Sequence, residues 1–156
     1  MRMLVEVGDQ RMSSAQWNIP VVSMPDRVGW SWKKSSWNLQ PVEPSLSAEF
    51  AFLTDGRAIS YAESILGIVE HYKLGEIVGS NTAGTNGNVN PFTLPGDDRV
   101  SWTGMKVLKH DGSRHHGVGI AATVPIQPTP VGIAAGRDEV LEKAVLVLIE
   151  KTTSGN

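Results

Sequence analysis

The sequence predicts an α/β fold, and three features of its second half carry that prediction. Phe50-Ala51-Phe52-Leu53-Thr54 is a short, nearly continuous apolar run ended by the turn pair Asp55-Gly56, the pattern of a buried strand. Over residues 60–73, Ile65, Leu66, Ile68, Val69 and Tyr72 recur at helical spacing, and Lys73-Leu74-Gly75 supplies a basic last turn followed by a glycine cap. Glu76-Ile77-Val78-Gly79 then reads as a second short strand. Strand, helix and strand in that order form the crossover unit of a parallel sheet, which is right-handed.

The flanking elements are read in the same way. Residues 1–48 hold four of the five tryptophans, Trp17, Trp30, Trp32 and Trp37, among Pro20, Pro25, Pro41 and Pro44. Few turns of helix survive such proline spacing, so this stretch is expected to be an irregular arm or covering layer, with short strands at 19–24 and 30–32. Its large aromatics need a partner surface, either the rest of the chain or a second copy, which makes a homodimer through the arm an expectation. Residues 80–90 lack any apolar period and read as a loop. Two β segments, 91–94 and 99–109, flank the turn Pro95-Gly96-Asp97-Asp98, and His110-Asp111-Gly112 marks the next reversal. Residues 118–124 are expected to return as another strand. After the link bearing Pro125, Pro128 and Pro130, the apolar positions from Val140 to Ile149 predict a closing helix, and 152–156 a disordered tail. The domain core is thus expected over 49–151.

Composition excludes several functions. With Lys+Arg 14 against Asp+Glu 16, no bulk charge favours nucleic acid or an acidic membrane surface. No stretch approaches the roughly 20 apolar residues of a membrane span, and the first residues lack the apolar segment of a signal peptide. Cysteine is absent, which excludes disulfides and thiolate-bound zinc and leaves the compartment open. The four histidines have no His-x-x-x-His spacing and no carboxylate cluster beside them, so no metal is expected.

Ser60 falls where a strand has ended and a helix is about to begin. Such a junction presents a nucleophile to a cleft, with the helix N-terminus and the N–H of Tyr61 available to a developing oxyanion. The same four residues, Ser60-Tyr61-Ala62-Glu63, are also an ordinary capping box, with Glu63 reaching back to the helix start. The Gly-x-Ser-x-Gly elbow is absent, since Gly56 lies four residues before Ser60. His115 and His116 are the local candidates for a general base, against the alternative of a solvated turn beside Gly117; His71 and His110 read as surface residues.

Four segments in order resemble the tail-specific, or C-terminal processing, serine peptidases and their tricorn-core branch. Residues 53–64, ending Ser60-Tyr61-Ala62-Glu63-Ser64, are similar to the nucleophile segment. Glu76-Ile77-Val78-Gly79 with Thr82-Ala83-Gly84 resembles the Val-Val-Gly strand and its glycine loop. Gly117-Val118-Gly119-Ile120 through Val124 resembles the Gly-x-Gly segment, and residues 137–144 the Asp-x-x-Leu-x-x-Ala of the last helix. The resemblance implies a spiral β-β-α arrangement shared with crotonase-like and caseinolytic peptidases. It also implies peptide-bond hydrolysis without a cofactor, with Ser60 as nucleophile and the Tyr61 N–H at the oxyanion. His116 is the candidate base, with Glu63 and His115 as accessory groups.

Two departures accompany it. The loop Gly84-Thr85-Asn86-Gly87-Asn88 holds no lysine, so a Ser–Lys dyad is not expected. Tricorn-type relatives take a histidine from earlier in the chain and a glutamate near the Gly-x-Gly segment, where His116 stands here. Nothing in residues 1–48 resembles the family's substrate-gripping module or its Gly-Gly turn, so a chain beginning in mid-fold is expected. Members of the family are often exported in bacteria. The competing expectation is a catalytically incomplete, peptide-binding or structural piece of such a peptidase.

Overall fold

The computed structural model describes residues 2–8, 10–21 and 31–154. In chain order the elements are α1 (Arg2–Val7), β1 (Met12–Ser13), β2 (Gln16–Val21), β3 (Ser31–Ser35), β4 (Asn38–Leu39) and β5 (Ala51–Thr54). They continue with α2 (Tyr61–Tyr72), β6 (Glu76–Gly79), β7 (Val89–Thr93), β8 (Arg99–Thr103), β9 (Lys106–Leu108), β10 (Val124–Pro125), α3 (Pro130–Ala134) and α4 (Glu139–Ser154). This is a mixed α/β fold. Its centre is the expected strand–helix–strand unit: β5 pairs in parallel with β6, from Ala51 opposite Glu76 to Thr54 opposite Gly79, and α2 makes the crossover. β10 adds a parallel strand on the other side of β6.

The helical spacing of α2 aims Leu66, Ile68 and Val69 into a core completed by Ile77 and Ile120. Leu4, Met12 and Leu39 enter the same cluster, and Trp37 packs on it. Leu4, Met12 and Leu39 thus join the N-terminal region to the core. β2 is the middle strand of a sheet ordered β3-β2-β9, and β1 pairs with β4. Pro20 is tolerated in β2 because, among the described residues, β9 pairs only with residues 16–18 and leaves no ladder on that side beyond Asn18 for a missing N–H to break. Residues 22–24 of one expected strand, and Trp30 of the other, lie outside the described residues.

Other elements depart from expectation for local reasons. Lys73, at φ 54° and ψ 44°, forms the left-handed end of α2, two residues before the expected glycine cap, and its N–H reaches Val69 O. Residues 118–123 form no strand. Gly117 and Gly119 take φ of 73° and 71°, which breaks a ladder, and only Val124–Pro125 pairs. The proline-rich link contains α3, because Pro130 sits at its first turn and the Thr129 side chain accepts from Gly132 N. α4 runs through Ser154, so residues 152–154 of the expected tail are helical, while 155–156 lie outside the described residues.

Candidate active site

Three segments far apart in sequence are stitched together around the start of α2. Ala83 N donates to Ala58 O at 3.1 Å, and Ser60 N donates to Thr85 O at 2.8 Å, so residues 82–86 run beside the approach to the helix. On their other flank, Gly117 N donates to Gly84 O at 2.8 Å, and Thr82 N to Ile120 O at 3.1 Å. Glycine is required at position 84: its φ is 72°, and a Cβ would meet Val118 N at 2.8 Å and Gly117 C at 3.0 Å. The three segments that resemble the family's motifs thus meet at one place.

Ser60 is exposed and has φ 51° and ψ −110°, a conformation that L side chains rarely adopt. Its side chain makes no capping bond, and among the described residues none hydrogen-bonds its hydroxyl. The capping box is therefore not formed. Holding a non-glycine residue in such a region costs on the order of 1–3 kcal/mol, which the surrounding bonds must sustain. Tyr61 opens α2. Its ring rests against Trp37 at 5.4 Å, and Trp37 meets Trp17 edge-on at 5.1 Å, so two arm tryptophans buttress the residue after the serine.

Glu63 turns away from the helix start into the interior. At 1% exposure, its Oε1 accepts from Thr82 Oγ1 and from Gly84 N, both at 2.6 Å. Thr82 Oγ1 in turn accepts from Ile120 N at 2.8 Å. Oε2 faces His115 Nε2 at 3.3 Å without hydrogen-bond alignment, and neither atom has another partner among the described residues. His115 is as buried as Glu63, which overturns the alternative of a solvated turn for this residue. At the next residue of the helix, Ser64 Oγ accepts from Asn86 Nδ2 at 3.0 Å, and Asn86 Oδ1 accepts from Gly87 N at 2.7 Å.

His116 points elsewhere. Its Nε2 lies 2.6 Å from Asn86 O, one residue past the Thr85 carbonyl that holds Ser60 N. A carbonyl only accepts, so the ring donates to it through Nε2. His116 also borders a cleft of about 490 Å³ with Trp32, Trp102 and Met105. A second cleft, of about 710 Å³, lies beyond the end of β5 beside Asp55, Arg57 and Arg137, and Ser60 does not line it. His71 and His110 stack in parallel at 4.2 Å away from this site, and His110 Nε2 bonds Ser13 O at 2.7 Å, so His110 is partly buried rather than a surface residue. Thr82, Ser64 and Asn86 had no assigned role in the sequence reading. Their signal was position alone, Thr82 opening Thr-Ala-Gly and Ser64 lying four residues after Ser60.

Residues 9–126 match the family model described as peptidase family S41. The chain belongs to peptidase family S41. The match takes in most of the 1–48 arm, which the motif resemblance did not reach. Among solved structures, a putative peptidase from Parabacteroides merdae superposes with a TM-score of 0.76 at 18% identity, over 94% of this chain and 46% of that one. The tricorn protease gives 0.62 at 20% identity, over 85% of this chain and 12% of its own length. The photosystem II D1 C-terminal processing protease gives 0.56 at 16% identity, over 80% and 30%. The matched region thus spans less than half the length of each of these proteins. No curated protein matches it in sequence.

Proposed function

We propose that this S41 chain bears the nucleophile of a serine-type endopeptidase, with Ser60 as that nucleophile. The observation that carries the reading is the backbone of Ser60. A helix cap is best served by an extended residue whose side chain bonds the first turn, whereas Ser60 is held at φ 51° with its hydroxyl uncommitted. In the proposed reaction Ser60 Oγ attacks the scissile carbonyl carbon, and its proton passes to Nδ1 of His116 or to a base from beyond this chain. The N–H of Tyr61 helps to hold the tetrahedral oxyanion. The C–N bond then breaks, the base returns the proton to the leaving amine, and water hydrolyses the acyl-serine. Glu63 and His115 act from below, positioning the loop beside Ser60. Peptides or proteins are the substrates, and the chemistry calls for no cofactor.

Two finer readings belong here. The spiral β-β-α arrangement is supported by the parallel β5–α2–β6 unit and by the superposition on the tricorn and D1 C-terminal processing proteases. A homodimer through the arm is supported by Val42 and Leu46, which stay about half exposed there. Light scattering at micromolar concentration that gave a monomeric mass would remove the second.

The test is covalent labelling by a fluorophosphonate, with the modified residue read by mass spectrometry. Label on Ser60, lost in Ser60→Ala and reduced in His116→Ala, is the expected result. An unlabelled Ser60 in folded protein would overturn the reading and leave a scaffold or peptide-binding role.

A further inference from the structure

We propose that the cleft between Trp32, Trp102 and Met105, bordered by His116, receives a bulky apolar side chain of the peptide being cleaved, aromatic by preference. The inference deepens the peptidase reading and rests on it. Its first support is an unusual hairpin. β7 and β8 pair from Val89 opposite Thr103 to Thr93 opposite Arg99, and every residue of both strands is exposed. A two-stranded ribbon with no packed face is marginal alone, so aromatic residues on it are not explained by core formation. Trp102 keeps 48% of its surface exposed, yet Phe92 steadies it from the diagonal position across the strands, edge-on at 5.6 Å. Trp32 reaches the same cleft from β3, belonging to a different sheet, and is 49% exposed. Two half-exposed indoles from separate sheets, with a methionine between them, form an adaptable apolar receptor.

Continuity with the candidate active site sets the occupant. His116 borders the cleft and holds the carbonyl of Asn86, adjacent to the residue that fixes Ser60 N. On this continuity, a residue neighbouring the scissile bond of a peptide at Ser60 is the one assigned to the indoles. The volume of about 490 Å³ falls within the range of small-ligand sites and suits one large side chain with its flanking backbone. Lys106 is the one Lys, Arg, Asp or Glu lining the cleft, and it makes no ion pair among the described residues. Its charge disfavours a lysine or arginine side chain as occupant, and the two indoles and Met105 around it match an apolar one.

The test separates this preference from catalysis by using the full chain with Ser60→Ala, so that nothing is cut. Calorimetric titration uses the capped peptides acetyl-Ala-Ala-Phe-Ala-amide, its all-alanine counterpart and its lysine counterpart. The phenylalanine peptide is expected to bind at least about tenfold more tightly than the alanine one, the scale of burying a large apolar side chain, with the lysine peptide weakest. Trp102→Ala and Trp32→Ala are each expected to reduce that preference to about threefold or less, while Val131→Ser on exposed α3 leaves it intact. In protein with both tryptophans retained, the indole N–H resonances of Trp32 and Trp102 should shift on titration, a readout that does not depend on the variants folding. Equal affinities, no binding at millimolar peptide, movement of other indoles alone, or a preference that survives both substitutions would each overturn the inference. Fluorophosphonate labelling of Ser60 in the parent chain is independent of all these outcomes, so the failure of either proposal is recognised separately.

Discussion

The first turn of α2 has two sides that differ in every physical respect. On one, Ser60 is exposed, backbone-strained and without a side-chain partner; on the other, Glu63 is almost wholly buried and tied to Thr82, Gly84 and His115. The exposed side is where chemistry is proposed, and the buried side is what makes its geometry sustainable. A serine at positive φ persists only if its neighbours over-determine it. Glu63 does this indirectly, by anchoring the loop whose Thr85 carbonyl grips Ser60 N.

Breaking the buried side should therefore have the largest effect on stability. Glu63→Ala leaves the Thr82 hydroxyl and the Gly84 N–H without their buried acceptor, and is expected to cost about 2–5 kcal/mol in denaturant unfolding. A loss below about 1 kcal/mol would mean that the network does not brace the loop. Altering the exposed side should do the opposite. Ser60→Gly relieves the positive-φ cost and is expected to raise stability by about 1 kcal/mol while abolishing labelling. Destabilisation by that substitution would show that the serine side chain contributes structure and that the strain is not real.

A smaller contrast lies at the other end of the helix. The pKa of His110 is lowered below its ordinary 6.5 chiefly by burial and also by the adjacent His71, against the raising effect of its bond to Ser13 O and of nearby Glu70 and Asp111. The unfolded chain therefore binds the proton more readily than the folded one. The stability that neutral His110 contributes is complete above the unfolded value and declines as pH falls through it toward the folded pKa. His110→Gln should flatten this part of the stability profile; an unchanged slope between about pH 5 and 7 would assign it to another group.

The strand–helix–strand unit was legible because each piece carries its own signal: a continuous apolar run, a helical period and turn residues between them. The arm was not, because β1 and β4 are only two residues long, and because Pro20 reads as a breaker until the limited reach of β9 is known. The candidate site was half legible. Ser60 stood out by its junction and by the motif around it, yet Ser-x-x-Glu is written identically whether the glutamate folds back on its own helix or crosses to Thr82. Likewise, two adjacent histidines do not declare that His115 turns inward to Glu63 while His116 turns to Asn86. Both choices are made by partners tens of residues away, where local pattern has no reach.

The backbone bonds that join residues 58–60, 83–85 and 117–120 also govern when in the life of the chain the serine acquires its geometry. Each is a contact of long sequence separation, and such contacts form only after loop-closure entropy has been overcome, late in folding or synthesis. Until residue 117 meets residue 84, the loop beside Ser60 lacks one flank. An unfinished or partly unfolded chain would then carry a serine in an ordinary, relaxed conformation. Topology alone would keep the proposed nucleophile relaxed until the fold around it is complete.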